Sequence, residues 1–264
     1  MGVAIANESG RARVDWVAES PTCEAGQFLQ TAVRMSIDPG WHTYWLNPGD
    51  GGMKTTIQWK LPPGWTAGDL GYPAPKRFAT GDLVSFGYEG TVLFPVVLAA
   101  PPDFAGTARI GATVSWLACN DGACVPGETE LFLEIKAGPV ARSADAGIIT
   151  AAKGLIPANR NNDFKLEVAE TDRMLVLEIH PRRADSPDLV GNIAFPASPD
   201  VIQTASEIRF RRVSGSCSWY ATVEKSEYLT ESLRGLDLVV VVPGNQASAD
   251  HLRQPISLAW RKCH

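Results

Sequence analysis

Hydrophobic and polar residues alternate along much of this chain with the period of two that a half-buried β-strand requires. Ile110, Ala112, Val114 and Trp116 fall on one face of such a strand, and Leu131, Leu133 and Ile135 alternate with Glu130, Phe132 and Glu134. Farther on, Leu175, Leu177 and Ile179 alternate with Met174, Val176 and Glu178. Runs of this kind between Gly and Pro residues predict strands at 13–18, 27–37, 41–46, 55–60, 91–99, 108–117 and 129–136. A second set is predicted at 164–169, 174–180, 190–195, 207–213, 218–223, 236–242 and 256–260. Many short strands at close spacing make the expected fold all-β, with two β-sandwich domains in tandem. Pro95 interrupts an apolar run and demotes that strand to an edge or a bulge. The Ala-rich stretch 141–156, stopped by Pro157, favours helix and reads as a linker with a short helix between the two blocks. A second short helix is expected at 226–233.

Length and charge refine this division. A chain of 264 residues has room for two domains of ordinary size. Its net charge of −5 argues against a nucleic-acid partner, which requires a basic face. The charge is uneven: residues 1–140 carry 9 Lys and Arg against 14 Asp and Glu, whereas 141–264 carry 15 of each. The first part also holds six of the eight Trp and twelve of the nineteen Pro, so a boundary is expected near 140, with domains at 1–140 and 141–264. No apolar run approaches the roughly 18 residues of a membrane helix. The first residues lack a charged region followed by a long apolar one, so the chain reads as cut from a longer protein with its export signal removed. The closing Lys262-Cys263-His264 reads as a cut too.

Candidate chemistry begins with the five cysteines, Cys23, Cys119, Cys124, Cys217 and Cys263. Cys119 and Cys124 flank Asn120-Asp121-Gly122-Ala123, directly after the predicted strand 108–117. Asn, Asp and Gly supply turn chemistry, and a tight turn can bring two Cβ atoms to disulfide distance. Two readings stay open on spacing alone: a hairpin staple, or a working dithiol. A structural zinc site is disfavoured, because only four His are present and no second close Cys pair exists. Cys23, in a Pro-Thr-Cys-Glu loop, is the best candidate for an unpaired thiol. Cys217 and Cys263 are either bonded to each other or buried free thiols. His42 and Tyr44, two apart on a predicted strand, share a face and can form a polar, aromatic wall or an ordinary half-buried strand surface. Trp41, Trp45, Trp59, Trp65 and Trp116 read as core. Arg209, Arg211 and Arg212 read as a solvated strand face around Phe210.

Three further stretches accompany the cysteine pair. They are Asp38-Pro39-Gly40-Trp41-His42-Thr43-Tyr44-Trp45-Leu46-Asn47-Pro48-Gly49-Asp50-Gly51-Gly52, Tyr72-Pro73-Ala74-Pro75-Lys76-Arg77-Phe78 and Phe86-Gly87-Tyr88-Glu89-Gly90. With Trp116-Leu117-Ala118-Cys119 through Pro126, and in this order, they resemble the amino-terminal periplasmic region of the thiol:disulfide interchange reductases, the DsbD/ScsB group, in its ScsB-type branch. The resemblance covers roughly 10–137 well and 160–264 more weakly. It implies immunoglobulin-like sandwiches and a periplasmic protein-disulfide reductase module without a cofactor. In that reading a membrane-embedded reductase domain of the same polypeptide reduces the Cys119–Cys124 disulfide. The dithiol then reduces thioredoxin-fold or peroxidase-like thiol proteins. The resemblance makes Cys124 the residue that forms the mixed disulfide and Cys119 the resolving one. It also implies an aromatic cap on a loop, matched best by Phe78 in the segment 76–83, with Phe86 and Tyr88 as competitors. The second domain is expected to be a scaffold or docking domain. The rival expectation is a non-catalytic immunoglobulin-like binding module in which Cys119–Cys124 is a staple.

Overall fold

A computed structural model of the chain describes residues 7–241 and 254–262. Its strands begin with β1 (Asn7–Ser9), β2 (Ala12–Ala18), β3 (Thr22–Cys23), β4 (Phe28–Ile37), β5 (Thr43–Gly49) and β6 (Thr56–Lys60). There follow β7 (Thr66–Ala67), β8 (Lys76–Thr80), β9 (Leu83–Tyr88), β10 (Thr91–Ala99), β11 (Thr107–Cys119), β12 (Cys124–Ala137) and the helix α1 (Ala146–Gly154). The rest comprises β13 (Ala158–Asn159), β14 (Phe164–Glu170), β15 (Met174–Pro181), β16 (Ile193–Pro196), β17 (Ile208–Arg209), β18 (Arg211–Arg212), β19 (Trp219–Glu224), β20 (Gly235–Val241) and β21 (Ile256–Arg261). The fold is all-β. Two compact units divide it: Met1–Pro48, Gly52–Lys76 and Phe86–Gly154 form the first, and Gly49–Gly51, Arg77–Ser85 and Leu155–His264 the second. No helix among the described residues is long and apolar enough to cross a membrane.

The first unit is a sandwich of a five-stranded sheet, β1-β2-β4-β10-β7, and a four-stranded sheet, β3-β12-β11-β6. The alternation in β11 and β12 does what the pattern demands: Ile110, Ala112, Val114 and Trp116 are buried with Leu131, Leu133 and Ile135. Trp16 of one sheet meets Trp59 of the other at 5.5 Å between ring centroids. The β11–β12 ladder runs unbroken from Thr107↔Lys136 to Cys119↔Cys124, a long two-stranded arm whose tip carries the cysteine pair. Near its tip it is clamped by Trp116, whose indole Nε1–H donates to the Gly10 carbonyl at 3.0 Å. The same ring lies flat on Gly127, where a Cβ would come within 2.2 Å of it. Pro95 sits where its missing N–H costs no ladder bond. Along β10 the outer edge pairs with β7 only at Leu98 and Ala99, and the Pro95 carbonyl on that edge accepts from Gly71 N–H at 2.7 Å.

The helix is shorter than the predicted stretch and belongs to the first unit. Ile149 packs with Val17 and Ala32 on the outer face of the five-stranded sheet. The approach is held by Ser143, whose N–H donates to Glu19 O at 2.7 Å and whose hydroxyl donates to Ala18 O at 2.6 Å. No helix forms at 226–233. The segment makes only local turns and is tied down at its two ends, Ser226 N–H to Val201 O and Leu233 N–H to the Glu170 carboxylate. The segment expected to be a capping loop, 76–83, is instead most of the β8–β9 hairpin, turned at Gly81 with φ of +60°. A glycine with positive φ followed by one residue of negative φ is the chemistry of a two-residue hairpin turn.

The second unit pairs sheet β13-β21-β20-β16-β17 with sheet β14-β15-β19-β18. Its core holds Phe164, Leu175, Leu177, Ile179, Phe210, Trp219, Leu236, Leu238 and Leu258. Arg209, Arg211 and Arg212 are exposed around the buried Phe210, with Arg209 on Glu207 and Arg212 on Asp188.

Candidate functional site

Cys119 and Cys124 are bonded, with their Cα atoms 4.1 Å apart. The register explains why this bond fits. Cys119 N–H and C=O both pair with His42, at 2.9 Å each way. They therefore point away from β12, and Cys119↔Cys124 is a non-hydrogen-bonded pair of the antiparallel ladder, the kind whose Cα atoms lie closest. The turn between them is tied by Asn120. Its N–H donates to Ala123 O at 2.9 Å, and its side-chain Oδ1 accepts from Gly122 N–H and Ala123 N–H, both at 2.9 Å. Asn120 thus ties the hairpin turn, and Asp121, Gly122 and Ala123 are exposed.

The two cysteines are not equivalent. Cys119 is buried, at 2% of its full exposure, while Cys124 is exposed. The backbone N–H and C=O of Cys124 face the outer edge of β12, since those of Cys119 face His42 and the pair is non-hydrogen-bonded. The partner strand β3 meets β12 only at its far end, at Lys136 and Ala137.

His42 brings a side chain to the same place. It is buried, and its ring meets the Tyr44 ring edge-on at 5.3 Å between centroids. Burial pushes the imidazole below its usual value of 6.5, against the opposing pull of Asp121 and Glu89. Burial also pushes the Tyr44 phenol up. Gly52 makes room for that phenol. With φ at +112° it lies against the ring, and a Cβ there would fall 2.2 Å from Cε1. Gly52 therefore has a packing reason as well as a backbone reason to be glycine.

The other residues named as candidate caps lie on β8 and β9. Tyr88 is a core residue: it packs edge-on against Phe94 at 5.4 Å and donates its hydroxyl to Pro73 O at 2.8 Å. Tyr72 flanks the same Phe94 at 5.7 Å and donates to Thr55 O at 2.5 Å; burial pushes its phenol to about 12. Phe86 is buried on β9. Phe78 is half-buried on β8, within the segment Arg77–Ser85 of the second unit. Trp45, Trp65 and Trp116 are core as expected, but Trp41 is only half-buried, because the turn ahead of it leaves one ring face to the Arg11 guanidinium at 5.0 Å.

Cys23 is free and buried, and its thiol is pushed up by burial and by Glu24 and Glu19. Such a thiol is a poor nucleophile. Cys217 is free and exposed rather than buried, because it sits in the turn around Gly215 instead of on a strand. Cys263, its suggested partner, lies outside the described residues. The sequence reading missed the backbone pairing of His42 with Cys119, which joins residues far apart in the chain and leaves no local signal.

Residues 14–136 match the family profile described as "Thiol:disulfide interchange protein DsbD, N-terminal". No curated protein sequence matches the chain significantly. Among solved structures, the N-terminal periplasmic domain of ScsB from Proteus mirabilis superposes with a TM-score of 0.64 at 16% identity, covering 96% of this chain and 94% of that one. This shows a shared fold over both units. Spo0M, a sporulation control protein from Bacillus subtilis, is aligned over 96% of this chain and 91% of its own at 12% identity, but its TM-score of 0.25 carries no argument.

Proposed function

We propose that the chain is a periplasmic thiol–disulfide exchange module that acts as a disulfide reductase, a reading supported by the match of residues 14–136 to the DsbD N-terminal profile. The observation that carries the proposal is the asymmetry of the pair: one sulfur in the core, the other on an exposed hairpin tip. An exchange site needs one accessible sulfur for attack and a second within reach to resolve the mixed disulfide. Cys124 is the accessible one and Cys119 the resolving one.

The electrons balance without a cofactor. A thiolate of a membrane-embedded reductase domain, in our reading part of the same polypeptide, attacks Cys124 Sγ. The Cys119–Cys124 bond breaks and Cys119 leaves with the electron pair. A second thiol of the reductase then displaces Cys124, so the reductase is oxidised to a disulfide and this chain is reduced to a dithiol. In the forward half, the Cys124 thiolate attacks the disulfide of an oxidised thioredoxin-fold or peroxidase-like thiol protein. The partner's leaving thiolate takes a proton. Cys119 attacks Cys124 Sγ, restores the intramolecular bond and frees the reduced partner. His42 and Tyr44 form the inner wall behind Cys119, and the second unit serves as scaffold or docking domain. Contacts with partners are small and transient, because a shuttle must release its product; weak redox encounters bury less than about 1,200 Å².

Trapping tests this directly. In a Cys217→Ser, Cys263→Ser background, which leaves only the pair and the buried Cys23, Cys119→Ala is mixed with an oxidised thioredoxin. The expected result is a mixed disulfide through Cys124. Capture by Cys124→Ala through Cys119 would reverse the assignment. If neither variant captures the protein, the cysteine bond is a staple and the chain is better read as a binding module.

A further inference from the structure

Glu167 and Glu178 face each other across the β14–β15 ladder, and His180 lies two residues beyond Glu178, on the same face. One donor atom from each, two carboxylate oxygens and an imidazole nitrogen, lies within 4.8 Å of the other two; among the described residues no other three His, Cys, Asp or Glu come together in this way. His180 Nε2 is 3.3 Å from Glu167 Oε2 and 3.4 Å from Glu178 Oε2. Nε2 is shielded from solvent and has no hydrogen-bond partner beyond these two carboxylates. The ring is held from behind: Nδ1 is 2.8 Å from Ser218 Oγ, and the buried Ser218 is itself bonded to Ser216. An outer hydrogen bond that fixes one imidazole nitrogen and aims the other is what ligand histidines use in metal sites.

We propose that Glu167, Glu178 and His180 form a binding site for a divalent transition metal of the Zn²⁺ type. One imidazole and two carboxylates suit such borderline cations, whereas Ca²⁺ and Mg²⁺ prefer all-oxygen shells. Three protein ligands leave a fourth tetrahedral position for water. The two glutamates also line an open cavity of about 540 Å³, which leaves their carboxylates accessible beside Lys165, Arg182 and Arg261. Lys165 pairs with Glu167 at the rim. Both partners of that pair are largely exposed, so it is a weak competitor that the ion displaces. The two carboxylates face each other across the ladder, where like charges repel unless a cation lies between them. The site lies wholly in the second unit and does not depend on the redox reading.

The test uses the full chain without a tag, oxidised at Cys119–Cys124, with Cys217→Ser and Cys263→Ser to remove thiol ligands. Titration with ZnCl₂ at neutral pH is followed by calorimetry, and the His ring signals by NMR. The expected result is one saturable Zn²⁺ site, weakened at least about tenfold in His180→Ala, with the His180 ring signals shifting and those of His42 unmoved. MgCl₂ should produce no binding heat. Glu178→Gln gives the same reading should His180→Ala fail to fold. Absence of saturable binding, or an affinity unchanged in both variants, would reduce the cluster to an ordinary ion-pair network and overturn the proposal.

Discussion

Cys119 and Cys124 share a bond but not an environment, and the difference comes from what flanks each strand. Cys119 is bridged by His42 on the side away from β12, whereas β3 pairs with β12 only far from Cys124, at Lys136 and Ala137. His42 carries a consequence for pH. Its imidazole is buried and held below 6.5, so the unfolded chain binds more protons than the folded one between that depressed value and 6.5. Stability from this group is complete above 6.5 and is lost as pH falls toward the folded value. His42→Gln should therefore flatten the dependence of unfolding free energy on pH in that window, measured by urea unfolding at a series of pH values. An unchanged slope would mean that His42 is solvated. The identity of the Cys pair was legible in the sequence, because two cysteines around Asn-Asp-Gly can hardly avoid a hairpin. The roles of His42 and Gly52 were not, because each depends on a neighbour brought in by tertiary pairing.

At the scale of elements, the β11–β12 arm is the structure that presents the site. Its strands were legible because both alternate cleanly and both bury one face. The β8–β9 hairpin was not, because β8 reads Lys-Arg-Phe-Ala-Thr, with no buried face and no alternation to find. The helix at 226–233 failed for a related reason: local propensity there is outweighed by backbone bonds to Val201 and Glu170. The arm is stiffened where Trp116 lies on Gly127. A Cβ at Gly127 would collide with the indole at 2.2 Å and dislodge its bond to Gly10. Gly127→Ala should cost about 1–3 kcal/mol of stability in denaturant unfolding, the range for overpacking a filled site. A cost near zero would show that the ring moves aside freely.

At the scale of the whole molecule, the all-β fold was legible from strand count; the division was expected near residue 140, whereas the compact units divide after Gly154 and the second also takes Gly49–Gly51 and Arg77–Ser85. The assignment of α1 to the first unit was not legible, because one apolar residue, Ile149, decides where the helix docks. The family match covers residues 14–136, the structural likeness both units, and the proposed chemistry depends on one bond. The most direct measurement is therefore the reduction potential of Cys119–Cys124, by equilibration of the oxidised chain with glutathione and thioredoxin couples and alkylation of the thiols formed. A working pair should equilibrate with these couples, at about −180 to −270 mV. A bond that stays oxidised against the thioredoxin couple, with a potential below about −300 mV, is a structural staple and would contradict the account.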